Sequence, residues 1–395
     1  MSQDQTAQDI LQQLVSFDTT SYKSNLALVD YVQGYLHSYG IDSQLVPDAT
    51  GKKANLYATI GADAAHPERG GIMLSGHTDV VPVTGQDWHT DPFSLHEQDN
   101  KLFARGSADM KGFIALVLSR VPAMLAQPLQ MPFHLAFSYD EEIGCVGVRG
   151  LLTLLEQLPV KPAMCIVGEP TSMEVVIGHK GKASYKVDVT GHACHSGQAP
   201  LGVNAIDYAA QLIVYINNIA QQSALNGPFD HDYKVPYTTL HTGTVQGGTA
   251  LNIVPNHCGF EFEIRYLAQQ DPAPLVQQIT DYADRELEPK MQAVVAQTGI
   301  NITQVASYPG LLIEPDAQLV TYVKQLLNND AHSKVIFGTE GGLFQQRLGI
   351  PTIVCGPGNI DQAHKANEYI SLEQFQLGGE FLDRLIADVA QSVSK

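Results

Sequence analysis

Cysteine is sparse and irregularly placed: Cys145, Cys165, Cys194, Cys258 and Cys355 are five in number, and no two are spaced as CxxC. An odd, scattered set excludes a disulfide framework and gives no thiolate zinc site, so these residues read as reduced core positions. Long apolar runs are missing as well, and no stretch approaches the roughly 18 residues needed to cross a bilayer. The opening MSQDQTAQDILQQLVSFDTT has no basic start and no uninterrupted apolar segment. It reads as a first helix rather than a targeting signal, and the expected location is cytoplasmic. Positive charge is in deficit, with 23 Lys+Arg against 41 Asp+Glu and a formal net charge of -18 at pH 7. Such a surface repels nucleic-acid phosphates and anionic membranes. It leaves small solutes or protein partners, with a weak preference for a cationic substrate. The chain shows no internal repeat and no low-complexity linker. GTVQGG and GTEGG lack the lysine and the strand-to-helix context of a phosphate loop and read as turns.

What is present is the texture of a layered globular protein. A length of 395 residues with 44% hydrophobic content allows a large core and roughly two to three domains. From residue 1 to 178, helical stretches (QDILQQLVSF, LALVDYVQGYLHSYG, KGFIALVLSRVPAMLAQ, VRGLLTLLEQL) alternate with apolar strands (GGIMLSG, FHLAFSY, AMCIVG). That alternation predicts an α/β sheet covered by helices on both faces. The texture then changes. ASYKVDVT sets Tyr185, Val187 and Val189 against Ser184, Lys186 and Asp188, and CGFEFEIRYL sets Cys258, Phe260, Phe262 and Ile264 against Glu261, Glu263 and Arg265. Both carry the period of a strand with one wet face. NAIDYAAQLIVYINNIAQ and DPAPLVQQITDYADREL add two amphipathic helices. The α/β texture resumes with QLVTYVKQLLNN, KVIFG, PTIVCG and LEQFQLGGEFLDRLIADVAQSV. The expected organisation is a mixed-sheet catalytic domain, residues 1–178 and 292–395, interrupted by an α+β insertion at 179–291.

Four apolar runs stop on residues able to hold a metal ion. GGIMLSG precedes His77-Thr78-Asp79, LFARGSA precedes Asp109, FHLAFSY precedes Asp140-Glu141-Glu142, and AMCIVG precedes Glu169. His364, in GPGNIDQAHKANEY, follows a further run, PTIVCG. Strand exits of open α/β sheets form the ligand crevice, so one pattern points to both fold and site. A histidine such as His77 taken alone is more often a satisfied structural residue; the ligand reading rests on the recurrence. Carboxylates and imidazoles without thiolates suit zinc, cobalt or manganese in a hydrolytic site. Two histidines and three carboxylates exceed the needs of one catalytic ion, whereas a carboxylate-bridged pair about 3.5–4 Å apart uses them all. Asp79 is placed to accept the second N–H of His77 and fix its tautomer. Of the adjacent Glu141 and Glu142, one can ligate while the other takes a proton from water and delivers it to a departing amine.

SGHTDVVP, GSADMKG, SYDEEIGCVG, VGEPT and GHACHSG, in this order and spacing, resemble the dinuclear-zinc metallopeptidase family. Its members include acetylornithine deacetylases, succinyl-diaminopimelate desuccinylases, aminoacylases and glutamate carboxypeptidases. The resemblance spans nearly the whole chain. It implies two divalent ions, zinc first and cobalt second, with Asp109 bridging, His77 and Glu169 completing one set and Glu142 and His364 the other. Glu141 is then the general base. The resemblance further implies a homodimer formed through the insertion, which serves as a lid, and a role for His195 in stabilising the oxyanion in the partner's site. Within the family, GTEGGLFQQRLGIPTIVCGPGNIDQAHKANEYI resembles the acetylornithine deacetylases, implying hydrolysis of N-acetyl-L-ornithine in arginine biosynthesis. Arg265 and Asn252 match lid positions expected to meet the substrate carboxylate. Glu340, a carboxylate between glycine-rich neighbours, is expected to face the ornithine ammonium.

Several of these residues have plainer readings. Arg265 on a polar strand face is by default a solvated arginine. His192 suits a surface turn, Lys111 a local cap or pair, and Trp88, the single tryptophan, packing against a motif loop. Cys145 beside the glutamate pair has no evident base partner and reads as buried rather than nucleophilic. Two alternatives stay open for the activity: a desuccinylase or broad N-acyl-amino-acid hydrolase, and a non-catalytic metal-containing binding protein. An intact Glu141 argues against the second.

Overall fold

The apolar runs of the first and last thirds pair into one mixed sheet. In the computed structural model, which describes residues 6–61 and 70–391, four parallel neighbours form its middle. Their order is Phe133–Ser138, Ile72–His77, Met164–Val167 and Thr352–Val354. Ser43–Pro47 and Ala54–Ile60 continue one side antiparallel, and Val175–His179 pairs antiparallel on the other. Phe133–Ser138 and Ile72–His77 are buried at every position. A strand buried on both faces must be covered on both, which is why these segments read as continuous apolar runs rather than alternations. Helices supply the cover, and the mixed α/β class is the one the sequence predicts. Helix Lys111–Ser119 is buried from Lys111 through Leu118. Helix Ala7–Ser16 buries Ile10, Leu11, Leu14 and Val15 on one stripe and begins in a capping box between Thr6 and Asp9. Leu26–Ser38 ends where Gly40 takes a left-handed φ of 74°. Among the described residues no helix is long and apolar enough to cross a membrane.

The chain divides into two units. The sheet just described belongs to Met1–Gly178, Leu311–Val335 and Thr339–Lys395; the second comprises His179–Gly310 with Ile336–Gly338. The second unit is a four-stranded antiparallel sheet in the order Thr239–Gly247, His257–Tyr266, Gly181–Thr190, Gly299–Tyr308. Val187, Val189, Phe260, Phe262 and Ile264 are all buried and pack with Ala205, Ala209, Leu212 and Ile216 of helix Ala205–Asn226. Helix Ala273–Tyr282 continues through a π turn at Ala283–Leu287 and buries Ile279, Ala283 and Leu287. The expected end of this insertion at residue 291 is corrected to Gly310. Strand Gly299–Tyr308 pairs with Gly181–Thr190 from Gly299 opposite Thr190 to Tyr308 opposite Lys182, so it completes the insertion's sheet.

One histidine in this unit ties stability to pH. His179 is fully buried, its Nδ1–H donating to the Lys180 carbonyl at 3.0 Å. Burial pushes its pKa from 6.5 down to about 4. Between these values the unfolded chain binds the proton and the folded one does not. Stability is therefore complete above pH 6.5 and falls as pH drops toward 4, by up to about 3 kcal/mol. His179→Gln is expected to flatten the acid limb of urea midpoints across that window; an unchanged slope would exclude His179 as its source.

Candidate metal centre

Parallel order places the C-terminal ends of neighbouring strands side by side. His77 is the last residue of Ile72–His77, Asp140-Glu141-Glu142 follow Phe133–Ser138, and Glu169 follows Met164–Val167 after one glycine. The chain leaving Thr352–Val354 runs on to His364. The side chains converge. His77 Nε2 lies 3.0 Å from Asp109 Oδ1 and 3.7 Å from Glu169 Oε1. His364 Nε2 lies 3.2 Å from Asp109 Oδ2 and 3.0 Å from Glu142 Oε2. Each oxygen of Asp109 thus faces a different imidazole, giving two half-sites that share one carboxylate. Donor atoms of His77, Asp109 and Glu142, and of His77, Glu141 and Glu169, lie within 4.8 Å of one another.

The expected placements of Asp109 and Asp79 need correction. Asp109 does not leave a strand of the main sheet. The strand before it, Lys101–Phe103, stops well short and belongs to a three-stranded side sheet with His96–Gln98 and Tyr369–Ser371. Residues 104–110 are turns that deliver Asp109 to the start of helix Lys111–Ser119. Asp79 orients His77, but chiefly through its backbone: His77 Nδ1–H donates to the Asp79 carbonyl at 2.9 Å, with carboxylate Oδ1 at 3.5 Å. The Asp79 carboxylate instead accepts from the backbone N–H of Glu141 (3.1 Å), that of Glu142 (3.3 Å) and the Ser21 hydroxyl (2.8 Å). One buried acid thereby orients the histidine and the glutamate pair together. Asp140 and His364 take left-handed backbone conformations, φ 55° and 61°, each costing on the order of 1 kcal/mol that surrounding contacts must offset.

The electrostatics call for cations. Burial pushes Glu169 up to about 8 and Glu142 up to about 7, and the charge on Asp109 adds to both. Burial, with the charge of Glu169, also lifts Glu141 well above the usual carboxylate range. Burial works against the charged forms of His77 and Asp109 too. Yet Glu169 and Asp109 hold His77 protonated well above its ordinary value, and hydrogen bonds from His364 and His77 keep Asp109 well below its own. Hydrogen bonds to Asp109 and Glu142 raise His364 to about 10. The crowded carboxylates thus bias both imidazoles toward the charged form. Two divalent ions would supply that charge and leave neutral imidazole nitrogens to ligate, so this oxygen-and-imidazole donor set fits such ions.

The remaining candidates separate. Glu340 is corrected: it is 1% exposed, with Oε1 sealed from solvent, beside Ser75 and Ser138 of the sheet rather than lining an open cleft. Burial pushes it up to about 7. In the second unit His195 is exposed, its Nδ1 accepting from the Gly197 N–H at 3.1 Å. The next residue, Ser196, donates to the Asn252 carbonyl at 3.0 Å, so the His195 and Asn252 segments are neighbours. Arg265 is half-buried and bonds Glu263 Oε1 and the Tyr308 hydroxyl, each at 3.0 Å. Lys111 is buried and donates to the Phe17 carbonyl at 2.8 Å, burial lowering it to about 7. Cys145 is buried with its thiol pushed up by burial, and donates to Glu141 Oε1 at 3.3 Å, a contact that spacing alone does not reveal. His192 is exposed. Trp88 packs its ring on Arg105 in the turn before Asp109.

Two histidines and four carboxylates gathered around Asp109, most of them just past the ends of parallel strands, suit a metal-dependent hydrolase. Comparison with known proteins agrees. Residues 73–388 match Peptidase family M20/M25/M40. The chain is 32% identical to the acetylornithine deacetylase of Pasteurella multocida, with 94% of this chain and 93% of that one aligned. It is 34% identical to the acetylornithine deacetylase of Myxococcus xanthus, over 95% and 96%. Among solved structures, an M20 family metallo-carboxypeptidase from Sulfolobus solfataricus superposes with a TM-score of 0.77 at 17% identity, covering 99% of this chain and 100% of that one. The chain belongs to peptidase family M20/M25/M40. It is a metal-dependent hydrolase of amide bonds, and its substrates are small amino-acid derivatives.

Proposed function

We propose that this enzyme deacetylates N-acetyl-L-ornithine to L-ornithine and acetate, and that its ions are two zinc ions, with cobalt as a substitute. The observation that carries the reaction type is the sharing of Asp109 between His77–Glu169 and Glu142–His364, with Glu141 beside them. The substrate rests on the acetylornithine deacetylases at 32% and 34% identity along nearly the full chain. On this reading the reaction belongs to arginine biosynthesis and the enzyme to the cytoplasm.

His77, Asp109 and Glu169 would hold one ion, and Asp109, Glu142 and His364 the other. When bound, they supply Lewis acidity toward the amide carbonyl and lower the pKa of water to about 7. Glu141 takes the proton from the attacking water. The oxygen adds to the acyl carbon, the C–N bond breaks, and Glu141 returns the proton to the departing amine. Asp79 holds the Glu141 backbone while it does so. From the family resemblance, the second unit serves as a dimerisation lid, His195 as an oxyanion donor, and Arg265 and Asn252 as partners of the substrate carboxylate. Arg265 must loosen its bond to Glu263 to play that part.

The test is a comparison of kcat/KM on N-acetyl-L-ornithine, N-succinyl-diaminopimelate and N-acetyl-methionine. Acetylornithine is expected to exceed each of the others at least about tenfold, a difference near 1.4 kcal/mol. Equal or reversed values would replace the substrate while leaving the reaction type in place.

A further inference from the structure

Behind the half-sites lies a second buried carboxylate that touches no imidazole of the centre. Glu368 is 1% exposed and sits four residues after His364. Its Oε1 accepts from the backbone N–H groups of Gly106 (3.1 Å), Ala108 (3.0 Å) and Asp109 (3.0 Å). Its Oε2 accepts from Arg105 Nη1 at 2.5 Å, and Arg105 is equally buried. The other arm of Arg105 donates to Gln86 Oε1 at 2.6 Å, which also accepts from Trp88 Nε1 at 2.9 Å. Gln86 Nε2 then donates to the carbonyl of His364 at 3.1 Å. The network closes a ring from the backbone of Asp109, through Glu368, Arg105 and Gln86, to the backbone of His364.

A buried ion pair of this kind is weak evidence for stability, because desolvation offsets most of its Coulomb energy. Its geometry, however, is specific. One oxygen gathers three N–H groups of the turn that carries Asp109, and no strand of the main sheet holds that turn. His364 likewise lies beyond the end of its strand, in a left-handed backbone conformation of φ 61°. His77 and Glu169, by contrast, are set by adjacent paired strands. The half-site made by Asp109, Glu142 and His364 therefore needs a device that the other needs less.

We propose that Glu368, acting with Arg105 and Gln86, is a positioning residue that fixes the separation of Asp109 and His364 and so sets the affinity of the ion they share with Glu142. The inference rests on the dinuclear reading of the site. Positioning groups behind a metal ligand typically govern affinity by 10–100-fold.

The test is calorimetric zinc titration of the metal-free full-length protein. The unaltered protein takes up two equivalents; fewer would overturn the dinuclear reading itself rather than this step. Glu368→Gln preserves shape but turns an amide toward Arg105. It is expected to weaken one equivalent about 10–100-fold and the other by less, because that one shares Asp109 but keeps His77 and Glu169 on paired strands. Gln86→Ala breaks the link to His364 without stranding a buried carboxylate and is expected to weaken the same equivalent several-fold. Two unchanged equivalents in folded Glu368→Gln, or an equal loss at both, would overturn the proposal. If Glu368→Gln does not fold, Gln86→Ala decides in the same way, unchanged affinities overturning it.

Discussion

Glu141→Gln is expected to lower kcat by about 10³–10⁴-fold while leaving metal content and KM close to those of the unaltered enzyme. The amide keeps the side chain's volume and can still accept the Cys145 S–H, which Glu141 Oε1 receives at 3.3 Å. The backbone N–H of Glu141 also keeps its bond to Asp79 at 3.1 Å. What disappears is the capacity to take a proton from water and return it to the amine. A group acting only in the transition state changes kcat and kcat/KM together, so a selective rise in KM would point to substrate binding instead. In the proposed mechanism the charged carboxylate is the working form, so activity is expected to fall on the acid side as Glu141 takes up a proton. That limb should vanish in the variant's residual rate. Near-normal turnover would remove Glu141 as the base.

Asp109→Asn should have the larger effect on the metals. The two oxygens of Asp109 face both imidazoles, Oδ1 at 3.0 Å from His77 and Oδ2 at 3.2 Å from His364. The substitution removes a negative charge from between the two cation positions and replaces one acceptor oxygen with an N–H₂ donor. Zinc content is expected to fall from two equivalents to one or none, with loss of affinity beyond about 100-fold, near 2.7 kcal/mol, and activity at background. His364→Ala is the contrast, because it strips one half-site and leaves His77, Asp109 and Glu169 in place. Two zinc equivalents held with undiminished affinity by Asp109→Asn would show that no ligand is shared.

Much of the site is legible in the sequence because the ligands are tied to a signal with its own physics. The strands ending at His77 and before Glu141 and Glu169 are buried on both faces, so they stand out as apolar runs and their exits can be counted. Asp109 was reached by the same rule for a reason that does not hold, since its turn is organised by Glu368, 259 positions away in the chain. Spacing places Asp79 beside His77 but does not distinguish a backbone carbonyl from a carboxylate as the acceptor. The glycines around Glu340 suggest a carboxylate facing the substrate ammonium, yet the fold sets it against strand serines, and only tertiary packing decides that. The second unit shows the same limit. Gly181–Thr190 and His257–Tyr266 are interior strands with one apolar face and are visible as alternation. Thr239–Gly247 and Gly299–Tyr308 are its edges, wet on much of both faces, and carry no such period.

The most direct test of the account is anomalous diffraction at the zinc edge from crystals of the zinc-loaded enzyme. The account predicts two peaks about 3.5–4 Å apart, one beside His77 and Glu169, the other beside Glu142 and His364, with Asp109 reaching both. A single peak, or two peaks that share no carboxylate, would contradict it.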